Sequence, residues 1–229
     1  MMKRNLLPFP DRDAAGRALA KALEAYRERD DVLVLALPRG GVPVAAEIAA
    51  ALGAELDLMI VRKLGAPGQP ELAMGAIASG GVRVLNRDVI ASLGISDHAI
   101  EEVARREQQE LERREQVYRG SRPRPTIEAR CVILVDDGVA TGATIRAGIE
   151  ALRRQKPGKL VVAVPVAPPD TVARLRSVAD EVVCLATPEQ FWAIGQWYIE
   201  FPQLSDDAVR EALADSWNAT SALSGRQGT

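Results

Sequence analysis

The sequence is short of the residues from which metal centres and charge-relay enzymes are built. Its 229 residues include two cysteines and one histidine. Cys131 and Cys184 lack CxxC spacing and each falls inside an apolar, strand-like run. That rules out an obvious zinc site, and both read as reduced thiols packed in a core. A Ser-His-Asp or Cys-His nucleophile would have to use His98, which sits beside Asp97 at the start of a charged stretch and reads as a surface residue. An excess of one charge is also missing. Twenty-nine Lys and Arg stand against 31 Asp and Glu, so no global basic field draws the chain onto nucleic acid or anionic lipid. The longest apolar runs, 32–37 and 159–166, have the length of strands rather than of bilayer spans. The opening MMKRNLLPFPDRD holds no apolar stretch of signal length before Pro8, Pro10 and Asp11. A cytoplasmic chain without a membrane or nucleic-acid partner is expected.

What the sequence does contain is the alternation of an α/β protein. Ala15, Leu19, Ala22, Leu23 and Tyr26 recur at helical spacing and predict a helix over 11–29. The run VLVLAL (32–37) predicts a buried strand, followed by a turn and a helix over 43–52 with Pro43 at its first position. A second strand is expected over 56–61, which makes a βαβ unit and hence a parallel sheet. The stretch LGAPGQPEL (64–72) holds two glycines and two prolines and predicts a mobile loop. A hairpin is expected around Gly80-Gly81. Ser96 then opens a helix to about residue 118, with Glu101–Arg105, Glu102–Arg106, Glu110–Arg114 and Glu115–Arg119 as four-residue pairs on a solvated or packing face. A second βαβ series follows, with strands over 131–135, 160–165 and 181–185 and helices over 144–154 and 170–178. An aromatic stretch, FWAIGQWYIEF, precedes a last helix over 206–217, and residues 218–229 are expected to fray.

The chemistry concentrates in VILVDDGVATGATIRAGI, which starts at Val132. An apolar strand ends in Asp136 and Asp137, and a loop of small residues leads into a helix. In open parallel sheets, ligands bind beyond the carboxyl ends of the strands. The backbone N–H groups of such a loop, with a helix N-terminus behind them, form an anion cradle. Carboxylates repel phosphate and suit hydroxyls or a divalent cation instead. The segment therefore calls for a ligand with a phosphate at one end and a diol at the other, a ribose 5-phosphate. Neither GxxxxGK[ST] nor GxGxxG occurs in it.

These residues resemble the phosphoribosylpyrophosphate signature of the type I phosphoribosyltransferases. The resemblance implies an α/β fold of that type, with a central, mainly parallel sheet flanked by helices, an inserted hairpin and helix, and a small hood. One domain over 1–229 is expected, with its core at about 32–185 and its hood at about 64–125 and 187–217. In that family the two acids hold the ribose hydroxyls, which implicates Asp136 and Asp137, also the expected Mg²⁺ ligands. The 5-phosphate would lie on Gly138, Val139, Ala140, Thr141, Gly142, Ala143 and Thr144. LPRGGVPVA resembles the family's pyrophosphate loop, with Arg39, Gly40 and Gly41 in its key positions, where relatives can carry a cis peptide bond. VRKLGAPGQPEL resembles the Arg-Lys pair and flexible lid of the adenine and orotate enzymes. It implies that Arg62 and Lys63 neutralise the leaving pyrophosphate and that the loop 64–72 closes over the site; with Asp137 these two are the expected catalytic residues, and Glu71 reads either as an acid–base group or as a solvated carboxylate. Phe191 or Trp192 would stack on a flat base.

The implied reaction transfers the phosphoribosyl group from 5-phosphoribosyl-1-pyrophosphate to a nitrogen base, purine-like by preference, with release of pyrophosphate. Two departures from the pattern bear on that. Ala140 stands where hypoxanthine-guanine enzymes carry an aspartate, and VPVAPP (164–169) lacks their purine-reading lysine. A phosphoribosylpyrophosphate sensor without catalysis, and a hydrolase using water as acceptor, therefore stay open. Relatives are commonly dimers, which makes a homodimer the expected assembly.

Overall fold

The computed structural model describes residues 7–224, with side-chain surroundings as far as residue 218. Five parallel strands form the central sheet: β1 (Val32–Ala36), β2 (Glu55–Leu58), β6 (Cys131–Val135), β7 (Lys159–Val166) and β8 (Glu181–Ala186). Their order is β2-β1-β6-β7-β8. β1 and β6 are buried along their whole length. That burial is why they read as unbroken apolar runs, since both faces of a parallel sheet are covered. The covering helices are α1 (Arg12–Ala22), α2 (Gly41–Leu52), α5 (Ala143–Arg154), α6 (Pro169–Arg176) and α7 (Asp206–Ser224). One apolar cluster gathers α1, α2 and α7 with residues of the inserted segment; another packs α5 and α6 on the opposite side.

Between β2 and β6 the chain builds a three-stranded antiparallel sheet from β3 (Val61–Ala66), β4 (Gln69–Ala78) and β5 (Val82–Leu85). Two helices follow, α3 (Arg87–Leu93) and α4 (Asp97–Arg119). α4 is N-capped by Ser96, as the sequence predicts. Its C-terminal end is tied to the central sheet by Arg119, whose Nη2 lies 2.7 Å from the buried carboxylate of Asp57 on β2. Of the expected pairs along α4, Glu110–Arg114 and Glu115–Arg119 form at 2.9 and 3.4 Å. Glu101 turns instead to Arg83 on β5.

Several expectations need correction. The strand read over 56–61 is two strands in different sheets. Met59 N–H still bonds to Ala36 of the parallel sheet, whereas Ile60 N–H bonds to the Ser79 hydroxyl of the antiparallel one. The stretch 64–72 is a hairpin, not an open loop. Gly68 at φ 77° turns it, and bulges at Gly65 accommodate the prolines. A Cβ on Gly65 would lie 2.5 Å from the Pro70 carbonyl, so glycine there lets the strands close. α2 begins at Gly41, which makes Pro43 its third residue. The first helix stops at Ala22 and passes into a 3-10 turn at Glu24–Tyr26. α7 continues past the expected end at residue 217 to Ser224, and residues 225–229 of the tail expected to fray lie outside the described residues.

Candidate active site

β1 and β6 are neighbours in the sheet, but their following helices leave towards opposite faces, which makes this the topological switch point of the fold. The loops after both strands meet there. Leu37 N–H donates to the Val135 carbonyl at 2.9 Å, extending the ladder one step. The Pro38–Arg39 peptide that follows is cis. Gly40 and Gly41 then pass against the end of β6. A Cβ on Gly40 would lie 2.0 Å from Asp137 Oδ2, and one on Gly41 would lie 2.7 Å from the Val135 carbonyl oxygen. Gly40 has φ −60° and ψ −35°, which any residue can adopt. Close approach, not backbone conformation, requires glycine here.

Asp137 is buried, and its Oδ2 accepts from Arg12 Nε at 2.8 Å. Its backbone carbonyl accepts from the Tyr198 hydroxyl at 2.5 Å, and its N–H donates to Asp136 Oδ1 at 2.9 Å. Burial pushes the Asp136 carboxyl well above the usual carboxylate range, and the charge of Asp137 pushes it the same way. Burial raises Asp137 too, but the Arg12 guanidinium opposes the shift. Two adjacent acids thus sit in different settings, one held by a cation and the other not.

The loop after them is fixed from behind and open in front. Gly138 leaves no room for a side chain, because a Cβ would lie 2.6 Å from Ile194 Cγ2. Val139 is buried, with its N–H bonded to the Val166 carbonyl at 3.0 Å. The Ala140 carbonyl accepts from the Thr171 hydroxyl at 2.8 Å. Gly142 takes φ 81° and α5 starts at Ala143 without a side-chain cap. Arg146 N–H makes the bond back to Gly142 O. The N–H groups of Ala143, Thr144 and Ile145 are therefore the uncapped donors of a helix start. Thr141 and Thr144 are exposed beside them. This arrangement offers hydrogen-bond donors and the positive end of a helix dipole to an anion.

The other expected residues divide. Arg39 is exposed, donates to the Leu204 carbonyl at 2.6 Å and lines a cleft of about 460 Å³ with Gly40, Asp137 and Arg12. Arg62 and Lys63, consecutive on β3, both line a cleft of about 840 Å³ with Glu71 and Glu107, but their side chains take different partners. Arg62 is paired with Glu107 of α4 at 2.6 Å. Lys63 lines a cleft of about 720 Å³ together with Ala143 and Thr144, and its Nζ lies 3.0 Å from the exposed carboxylate of Glu71. Phe191 packs near Trp197 with ring centroids 6.0 Å apart, while Trp192 is 87% exposed. Ile194 and Phe201, not these two, form the apolar wall of the Arg39 cleft. Among the described residues no group of three or more His, Cys, Asp or Glu side chains forms a metal cage. Sequence reasoning missed Arg12 and Thr171 entirely. It flagged the aromatic stretch that holds Tyr198 and Phe201 without finding their contacts.

A family model described as the phosphoribosyl transferase domain matches residues 5–201. The chain belongs to that family. As a phosphoribosyl transferase domain it is 51% identical over 201 residues to proteins of two Mycobacterium tuberculosis strains, CDC 1551 / Oshkosh and ATCC 25618 / H37Rv, which carry the name phosphoribosyl transferase provisionally. The match takes in 88% of this chain and 45% of theirs, so the chain spans less than half the length of these curated relatives. The crystal structure of TT1426 from Thermus thermophilus superposes with a TM-score of 0.81 at 43% identity. It covers 91% of this phosphoribosyl transferase domain and 99% of that chain.

Proposed function

We propose that this phosphoribosyl transferase domain binds 5-phosphoribosyl-1-pyrophosphate with Mg²⁺ and transfers the phosphoribosyl group to a nitrogen base, releasing pyrophosphate. One observation carries the reading: at the switch point, a paired carboxylate and an uncapped helix start on one strand face an arginine-glycine loop on the next. In this reading Ala143, Thr144 and Thr141 take the 5-phosphate. Asp136 and Asp137 take the ribose hydroxyls, and Arg39 with the N–H groups of Gly40 and Gly41 takes the pyrophosphate. The base attacks the anomeric carbon as the bond to pyrophosphate breaks, so positive charge grows on the sugar beside the two carboxylates. Lys63, which shares a cleft with the phosphate loop, stabilises charge at the leaving group or the 5-phosphate. Segments 64–125 and 187–217 act as the hood over a core at 32–185, and Trp192 offers an exposed ring for a flat base.

The donor set suits magnesium of the kind that takes most of its oxygens from substrate phosphates, since Asp136 and Asp137 are two adjacent carboxylates and not a cage. Those two residues would hold it, and the bound ion would neutralise charge on the departing pyrophosphate.

The test is calorimetric titration of phosphoribosylpyrophosphate with Mg²⁺, followed by adenine, guanine, hypoxanthine, uracil and orotate in turn. Turnover heat with one base, lost in D136N/D137N, is the expected result. Equal affinity in wild type and double variant would overturn the site. Binding without turnover of any base would make the domain a ligand sensor.

A further inference from the structure

We propose that Arg12 is a positioning residue, which holds Asp137 in its ribose-binding orientation with the segment 198–204 as its brace. The proposal rests on the phosphoribosyl-binding reading above and adds to it a part of the chain that lies outside both ligand loops.

Arg12 is the first residue of α1, whose N-cap is Asp11. Its guanidinium is engaged in three directions. Nε donates to Asp137 Oδ2 at 2.8 Å, and Nη1 donates to the Pro202 carbonyl at 2.9 Å. Its flat face lies 3.7 Å from the centre of the Phe201 ring. An arginine bound along its edge and stacked on its face has no freedom to swing. The Arg12 and Asp137 side chains are both only 9% exposed, so water competes little for the pair.

The brace is itself pinned to the N-terminal segment. Phe9 N–H donates to the Trp197 carbonyl at 2.8 Å, Ile199 N–H to the Phe9 carbonyl at 2.8 Å, and Glu200 N–H to the Pro10 carbonyl at 2.9 Å. Tyr198 lies between the Phe9 and Phe201 rings, at 5.6 and 4.9 Å, and donates its hydroxyl to the Asp137 carbonyl. Asp137 is therefore held at its backbone by Tyr198 and at its carboxylate by Arg12. Gly40 lies so close to the same carboxylate that an added Cβ would clash with it, nearest to Oδ2. Oδ2 is thus committed to Arg12, which leaves Oδ1 as the oxygen to take the sugar hydroxyl. An aspartate fixed in this way receives a sugar hydroxyl without first losing rotamer freedom, which is the usual gain from a preorganised site.

The experiment uses the full chain as wild type, R12M, R12K and Y198F, titrated separately with ribose 5-phosphate and with inorganic phosphate. The two probes share the phosphate end but only the sugar needs Asp137. R12M is expected to weaken ribose 5-phosphate by about tenfold or more while inorganic phosphate changes by less than about twofold. R12K keeps the charge but loses the bond to Pro202 and the stack on Phe201, so it should recover part of the loss. Y198F, which removes one hydroxyl, should weaken the sugar alone. Parallel loss of both probes would mean a merely structural role and would overturn the proposal, as would wild-type affinity in the variants. If circular dichroism shows R12M unfolded, R12K and Y198F decide by the same criteria. Wild type that binds neither probe would sink the phosphoribosyl reading itself, whereas normal wild-type binding with unaffected variants sinks only the role of Arg12.

Discussion

The Gly40→Ala substitution isolates the contact between the two ligand loops. The backbone of Gly40 is helical, so alanine costs nothing in conformation. Its methyl would nevertheless lie 2.0 Å from Asp137 Oδ2 and 2.5 Å from Cγ, where real Cβ contacts do not fall below 3.0 Å. Something must retreat by about 1 Å. The loop is tied to the same strand end, because Leu37 N–H is bonded to the Val135 carbonyl at 2.9 Å. The carboxylate cannot retreat without leaving Arg12, and breaking a buried pair costs about 3–5 kcal/mol. The compromise should follow the usual overpacking cost of about 1–3 kcal/mol in stability. A misplacement of about 1 Å at a binding group is worth roughly 100-fold in function. The assay is calorimetric binding of phosphoribosylpyrophosphate beside thermal melting. Gly53→Ala serves as control, since Gly53 has φ 68° in open space and feels only backbone strain. G40A that binds within about threefold of wild type would refute the argument that these loops meet at full contact.

Three further outcomes follow from the same geometry. K63Q should lower turnover, while R62Q should chiefly lower the melting temperature by freeing Glu107 of α4. Kinetics and melting of both variants check this, and equal kinetic losses would argue against it. Glu110 is held down to about 2 by hydrogen bonds from Arg113 and Arg114. Its folded pKa lies below the unfolded one, so its stabilisation is present above about pH 4.5 and fades as pH falls towards 2. The gap in melting temperature between wild type and E110Q should close over that window. Cys184 is pushed up to about 11 by burial. At pH 8 about one thiol in a thousand is then ionised, so native-state alkylation should be far slower than in urea.

The sequence was most legible where one periodicity ran without interruption. The strand at 131–135 and the acids and small residues after it are local features, and so is the glycine turn between β4 and β5. Legibility failed where an apolar run hid a corner. LMIV at 58–61 looks like one strand, but its backbone bonds pass from Ala36 to Ser79 partway along. Glycine and proline at 65–70 signalled a loop, because composition cannot tell a bulged hairpin from an open one. The partners of Asp137 were out of reach for a different reason. Arg12 is 125 residues away and Tyr198 is 61. An arginine in the first turn of a helix looks the same in sequence whether it faces water or a buried carboxylate. Arg62 and Lys63 were found as a pair, but which carboxylate each one meets, Glu107 or Glu71, is set by how α4 and the hairpin pack.

The strand order also has a kinetic side. β1 meets β2 through a register that joins Leu33 to Glu55, whereas it meets β6 through one that joins Val32 to Cys131. The first closure spans about a helix and a turn; the second spans roughly a hundred residues and costs about 1.3 kcal/mol more in chain entropy. Helices and the β1–α2–β2 unit have local contacts to form around, but the central seam of the sheet does not. The anion cradle and the arginine-glycine loop lie on opposite banks of that seam. The binding site comes into existence only when the seam closes, so ligand recognition reports on the assembly of the whole sheet rather than of either half.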